Sequence, residues 1–253
     1  MNIETRDLDG GVRILTLNRP PANAIDPTLM QDLYAACEAA KNDDAVRAVV
    51  VTGNGKFFCG GLDLKAVTGQ VGTGSGFGSV GDGVFALWTL PKPTVAMVNG
   101  HAIAGGGIVT LACDVRIAAR GNAKIGLNET AIGLPLPTGA MEIARLALTD
   151  QQARHVVLGA DLFPPDTARE VGMIDAVVDP ADLERVCVER ARLLGSYPRQ
   201  AYAYNKRILQ QHAVAAVSGE TEAQRRETFE VWTSEETMQA VMKQLSGISS
   251  KAK

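Results

Sequence analysis

The chain has 253 residues, 46% of them hydrophobic and 21% charged, with a formal net charge of −3. That length allows one sizeable hydrophobic core, and the mildly acidic balance leaves no basic footprint for nucleic acid or an anionic membrane surface. No apolar run approaches the ~18–20 residues that span a bilayer, and the charged opening MNIETRDLDGG has no signal-peptide core, so the chain reads as cytoplasmic or as a mature organellar protein. Cys37, Cys59, Cys113 and Cys187 are widely spaced, with neither a CxxC pair nor Cys/His ligand spacing. They read as reduced, packed thiols, and no metal site is expected.

Taken in order, Val12–Leu17 alternates and is β-branched, which predicts a first strand. Asn18-Arg19-Pro20-Pro21 breaks it. Asp26 is a good N-cap with Pro27 at the first helical position, and Leu29, Met30, Leu33, Cys37 and Ala40 recur at helical spacing, which predicts a helix over 28–41. Val46–Thr52 is a continuous apolar run, as an interior strand requires, and FFCGGLDL (Phe57–Leu64) follows it. Seven glycines then fall between Gly69 and Gly83. Within them Gly76–Gly81 matches GxGxxG, but no strand precedes it, and Gly55-Lys56 is followed by Phe57 where a phosphate loop needs Ser or Thr. The 69–83 stretch reads as a mobile loop or a plain disordered excursion. Val84–Leu90 is read as helical.

Pro93–Val98 predicts another buried strand, ending at the turn Asn99-Gly100 and His101–Ala104. Gly105, Gly106 and Gly107 then open the apolar run Ile108–Cys113. A strand, a glycine turn and a helix together point unpaired N–H groups out of a helix N-terminus, and glycines let a ligand approach the backbone without meeting a Cβ. Taken alone, the segment fits a tight turn with close helix packing equally well. Two such turns in one domain, at Gly60-Gly61 and at the triple glycine, can aim two N–H groups at one oxygen, and that is an oxyanion hole. Glu129, in IGLNET, can then supply a base.

These residues carry a resemblance. NGHAIAGGG (Asn99–Gly107) with CDVRIAA (Cys113–Ala119), preceded by FFCGGLDL, resembles the crotonase (enoyl-CoA hydratase/isomerase) superfamily, from Asn18-Arg19-Pro20 to the C-terminal helices. The resemblance implies an α/β fold with a ββα spiral core over 1–195 that binds acyl-CoA. It implies a C-terminal helical region over 196–253 that covers the pocket and builds trimers or dimers of trimers. It implies an acyl-CoA thioester as substrate, with coenzyme A belonging to that substrate and no separate cofactor. By position the thioester oxygen is held by the N–H groups of Leu62 and Gly106. The substrate wall implied by the family takes in Ala24, Ile25, Gly60, Gly61, Asp63, Leu64, Gly105, Val109, Leu134 and Phe229, with Trp232 a further candidate for the acyl tunnel.

The reaction class turns on Val109. Hydratases of this family carry glutamates at two positions, which here are Val109 and Glu129. A valine exchanges no proton, so hydration lacks a partner, whereas one carboxylate can take a proton off one carbon and return it to another while the enolate is held. IGLNET and Leu162-Phe163-Pro164-Pro165 resemble the mitochondrial-type Δ3,Δ2-enoyl-CoA isomerases. The expectation is therefore an isomerase with Glu129 as proton shuttle. A hydratase or other crotonase-type lyase or hydrolase stays open, as does a non-catalytic CoA-binding protein. His101 is read as satisfying its turn or orienting the site, Asp114 as making a structural hydrogen bond at a strand start, Glu142 as pairing with Arg145 or standing in for the missing acid, and Lys206 and Arg207 by default as solvated helix charges, with CoA phosphates as their alternative partners. The remaining elements are a strand over 114–118, helices over 139–148 and 149–158, a third helix that Phe163-Pro164-Pro165-Asp166 starts and Gly172 ends, a short strand over 173–178, and helices over 180–195, 199–216, 219–231 and 234–245.

Overall fold

The computed structural model describes residues 2–64 and 78–251. Strands β1 (Ile3–Leu8), β2 (Val12–Leu17), β3 (Ala48–Gly53), β5 (Thr94–Val98), β7 (Val115–Ala119) and β9 (Ala176–Val178) form one sheet in the order β1-β2-β3-β5-β7-β9. Only β1 and β2 pair antiparallel; the other pairings are parallel. Strands β4 (Phe57–Cys59), β6 (His101–Ile103) and β8 (Ile125–Gly126) make a second, parallel sheet. Every residue of β3 and β5 is buried, as parallel strands covered on both faces must be.

Alternation along the strands divides the core. Ile14, Val50, Val95, Met97 and Ile117 face α7 (Leu183–Gly195) and meet Leu183, Cys187, Val188 and Ala191. The neighbouring residues Leu15, Leu17, Val49, Val51, Ala96 and Val98 face the other way. There they pack against α1 (Pro27–Asn42), α2 (Gly78–Trp88), α3 (Gly105–Leu111) and the second sheet. Helix α1 starts as its sequence predicts: the Asp26 carboxylate accepts from Leu29 N at 2.7 Å, and Pro27 opens the helix. Beyond the sheets lie α4 (Thr138–Ala147), α5 (Asp150–Ala153) running on as a π-helix (Arg154–Leu158), α6 (Pro165–Glu170), α8 (Arg199–Ser218), α9 (Glu222–Trp232) and α10 (Glu235–Lys251).

Several expectations need correction. Strand β1 was not foreseen, because Ile3 is its one fully buried residue and the periodic signal is absent; register with β2, from Ile3 opposite Leu17 to Leu8 opposite Val12, holds it. The turn at His101–Ile103 is strand β6, too short to show a pattern. Helix α2 begins at Gly78, so 78–83 is helical rather than loop, and the rest of the glycine-rich stretch, 69–77, lies outside the described residues. Packing overrides propensity there: a Cβ on Gly83 would lie 2.4 Å from the Met30 carbonyl oxygen. All four cysteines are buried and unbridged, and burial pushes the Cys37, Cys59 and Cys187 thiols up to about 12.

Lys206 is not a solvated charge. Its side chain is 6% exposed, and its Nζ donates to Asp114 Oδ2 at 2.9 Å. The same oxygen accepts from Thr94 N, Thr94 Oγ1 and Tyr202 OH, tying the start of β5, the end of α3 and α8 together. Asp114 thus has the structural role read from its position. Arg207 is exposed, with its guanidinium 5.2 Å from the Tyr204 ring. Breaking a buried pair leaves a desolvated charge, so Lys206→Met should lower the urea unfolding free energy by about 3 kcal/mol while Arg207→Met changes it by less than about 0.5 kcal/mol. Equal effects would show that the Lys206 charge is not buried.

Candidate active site

Two chain reversals and one turn meet at a cavity of about 360 Å³. The first reversal follows β4. Gly61 there has φ +86°, and a Cβ on it would lie 2.7 Å from the Ile103 carbonyl oxygen and 2.9 Å from the Ala104 Cβ, so glycine alone fits. Ile25 N donates to Gly61 O at 2.7 Å, and Asp63 N donates to Ile25 O at 2.9 Å. In that parallel bridge the Leu62 N–H points away from Ile25. Leu62, Asp63 and Leu64 line the cavity, with Ala24 and Gly60 beside them.

The second reversal follows β6. Ala104 holds φ 53° and ψ −123°, a strained backbone for a residue with a Cβ, of order 1–3 kcal/mol. It turns the chain into α3, whose first main-chain hydrogen bond is Ile108 N to Ala104 O at 3.1 Å. The amides of Gly105, Gly106 and Gly107 therefore have no main-chain acceptor among the described residues. The helix start lies directly on the first reversal. A Cβ on Gly105 would be 3.8 Å from the Leu62 nitrogen, and one on Gly106 only 2.0 Å from the Cys59 carbonyl oxygen. Unpaired amides from two segments thus stand on adjoining strands of chain, and such a pair can stabilise charge on one oxygen.

The turn after β8 brings the acid. Glu129 precedes a 3₁₀ turn (Thr130–Ile132), lines the cavity, and is 7% exposed. Its Oε2 is buried without a hydrogen-bond partner among the described residues. Burial pushes its pKa up to about 7, opposed only by its own main-chain N–H. Val109, on α3, is fully buried. The other charged groups on the wall among the described residues, Arg19 and Asp63, bond to each other at 2.7 Å, and Arg19 also holds Asp26 at 3.0 Å and the Ala24 carbonyl at 3.1 Å.

Of the residues singled out from the sequence, Glu129, Leu62, Ala24, Gly60, Asp63, Leu64 and Leu134 line this cavity. Gly61, Gly105, Gly106 and Ile25 pack against one another and against the chain that forms its wall, and Val109 is buried in the main core. Phe229 does not line it, a correction with a simple cause: among the described residues no part of α9 is on the wall, and the C-terminal helix that reaches it is α10, through Gln244. Trp232, three residues on, is buried with Leu134 and Val241 against Leu62, Leu64 and Ile132. His101 satisfies its surroundings, its Nδ1 accepting from Lys124 N at 2.9 Å and its ring lying 4.8 Å from Phe57. Glu142 pairs with Arg145 at 2.9 Å, outside the cavity. Arg19, Asn128 and Gln244 were not foreseen; the Asn18-Arg19-Pro20 break was the one available signal for Arg19, and α10 brings Gln244 from the far end of the chain. A larger cavity of about 540 Å³ runs past Trp88, Leu111 and Leu209, but its buried Lys206 and half-buried Asp114 are already paired with each other.

Comparison with known proteins agrees with this architecture. Residues 7–248 match the family model for enoyl-CoA hydratase/isomerase. A short-chain-enoyl-CoA hydratase of Clostridium acetobutylicum is 32% identical over 207 residues, covering 79% of this chain and 78% of the relative. The crystal structure of a probable enoyl-CoA hydratase of Mycobacterium tuberculosis superposes with a TM-score of 0.82 at 30% identity, over 91% of this chain and 97% of that one. A second structure of that protein, described as an enoyl-CoA isomerase, gives 0.77. Human mitochondrial Δ3,Δ2-enoyl-CoA isomerase shares the fold, with a TM-score of 0.91 at 22% identity over 99% of both chains. The chain has the crotonase fold and belongs to the enoyl-CoA hydratase/isomerase family. It is an enzyme of that family.

Burial of Glu129 gives a testable sign. Its pKa is near 4.5 unfolded and about 7 folded, so the folded chain holds the proton more tightly. The Glu129 contribution to stability is then full below about pH 4.5, is lost as pH rises from there through 7, and is gone above 7, a change on the order of 3 kcal/mol. Urea titrations at about pH 4.5 and pH 8 should show this loss in the wild type and a much smaller one in Glu129→Gln. Identical pH dependence in the two proteins would place the carboxyl in water.

Proposed function

We propose that the enzyme moves the double bond of a 3-enoyl-CoA to the 2 position. The observation that carries this reading is the Glu129 carboxyl, buried in the cavity with Oε2 unpartnered among the described residues, while a hydrocarbon, Val109, stands at the family's other glutamate position. Asp63, the other carboxylate on the wall, is bonded to Arg19. Ionised Glu129 takes the proton from C2, and the C–H electron pair moves into the thioester carbonyl. The N–H groups of Leu62 and Gly106 hold the resulting oxyanion, worth roughly 2.7–4 kcal/mol per donor. The dienolate then collapses, and C4 takes the proton back from Glu129 while the new double bond forms between C2 and C3. No atom is gained or lost, and no second acid is needed. A base whose pKa is about 7 is poised for both halves of the transfer near neutral pH. The main chain at Ala24 and Ile25 is the proposed seat for the CoA portion, with Leu64 and Leu134 against the acyl group; coenzyme A arrives with the substrate, and the enzyme needs no cofactor of its own.

A hydratase is the second reading. Asn128 Oδ1, like Glu129 Oε2, is buried without a partner on the same wall. Two unpaired acceptors suit a water molecule, and curated relatives named hydratases lend this reading weight.

A panel of acyl-CoA thioesters separates the readings. The expected outcome is conversion of 3-enoyl-CoA to 2-enoyl-CoA well above the rate of 2-enoyl-CoA hydration; the opposite ranking favours the hydratase, and binding without turnover favours a non-catalytic CoA-binding protein. Glu129→Gln should lower turnover by about a hundredfold or more with acyl-CoA affinity retained within a few fold. Unchanged turnover would remove Glu129 from the chemistry.

A further inference from the structure

A carboxyl with no side-chain hydrogen bond on Oε2 is aimed by its backbone alone, so whatever fixes that backbone helps set the reaction geometry. The Glu129 carbonyl accepts from Ile132 N at 3.0 Å and Leu134 N at 2.9 Å, which makes 129–134 one small closed turn. On one side the Thr130 hydroxyl anchors the turn by donating to Val157 O of the π-helix at 2.8 Å. On the other side both anchors come from about a hundred residues away. The Thr237 hydroxyl, on α10, donates to Gly133 O at 2.7 Å, and Trp232 Nε1, at the end of α9, donates to Pro135 O at 3.1 Å. Thr237 is 3% exposed, and a Cβ on Gly133 would lie 3.2 Å from its Cα, so helix and turn are in direct backbone contact. Ser234 Oγ donates to Thr237 Oγ1 at 3.1 Å, which orients the hydroxyl.

We propose that Thr237 is a positioning residue for Glu129, with Trp232 as its second support, and that the C-terminal helix pair thereby controls the rate of proton transfer as well as roofing the cavity. This rests on Glu129 being the proton-transfer group. Thr237 touches neither Glu129 nor the cavity; it acts through the Gly133 carbonyl. Small displacements of a catalytic group by a distant change can cost about a hundredfold in rate, so the effect belongs in kcat rather than in substrate binding.

The test is steady-state kinetics of the full-length enzyme on whichever enoyl-CoA thioester it turns over fastest. Thr237→Val keeps the shape and removes the donor; Thr237→Ser keeps the donor. The expected result is a fall in kcat of about tenfold or more for Thr237→Val with KM within about threefold, and a Thr237→Ser kcat within about threefold of wild type. If Thr237→Val does not fold, Trp232→Phe, which keeps the ring and loses the Nε1–H, should give the same split. A wild-type kcat in Thr237→Val, or an equal loss in the valine and serine variants, would overturn the proposal. Glu129→Gln assayed alongside distinguishes the two failures: inactive Glu129→Gln with an unaffected Thr237→Val removes only the positioning role, and active Glu129→Gln removes the base itself.

Discussion

The site depends on one electrostatic constraint, the desolvation of a single carboxyl. Glu129 is 7% exposed and one of its oxygens meets no donor, so its charged form is costly and its proton affinity rises to about 7. A second carboxylate nearby would share the proton and make a pair; a cation would pull the pKa back down. Among the described residues on the wall, the one such carboxylate and the one such cation, Asp63 and Arg19, are bonded to each other. Val109, on α3, is hydrocarbon buried in the core, and Arg19 is taken up by Asp63 and Asp26.

The fold supplies this environment through close backbone contact rather than through charged side chains. The second sheet and α3 pack so tightly that Gly61 and Gly106 leave no room for a methyl group, and the price is a strained Ala104. In return, amides from two segments far apart in sequence stand side by side in an apolar wall. Donors fixed in this way need no reorganisation when charge develops on a substrate oxygen. The C-terminal helices close the same wall, with Trp232 and Val241 on Leu134 and the Thr237 hydroxyl on the Gly133 carbonyl.

Much of this was legible in the sequence because the signals were local. Strand β2, the Asp26-Pro27 helix start and the buried strands β3 and β5 each follow from a short pattern, and the two glycine turns and Glu129 singled out from the sequence meet at one cavity. What escaped was set by tertiary contact. Strand β1 has one buried residue and is held by its neighbour's register. Lys206 reads as an ordinary helix charge until Asp114, ninety-two residues earlier, is placed against it. Phe229 and Trp232 are equally plausible from helical spacing, and neither lines the cavity: Trp232 is instead buried with Leu134 and Val241. Thr237, a polar residue in an amphipathic helix, carries no local sign of its hydrogen bond to Gly133.

The most direct measurement follows the hydrogen itself. A 3-enoyl-CoA carrying deuterium at C2 is converted in ordinary water, and the product is examined for label at C4. One shielded carboxyl that both removes and returns the proton should deliver a measurable fraction of the deuterium to C4 before solvent exchanges it. A product with no label at C4, every hydrogen there drawn from solvent, would contradict a single buried Glu129 as the carrier.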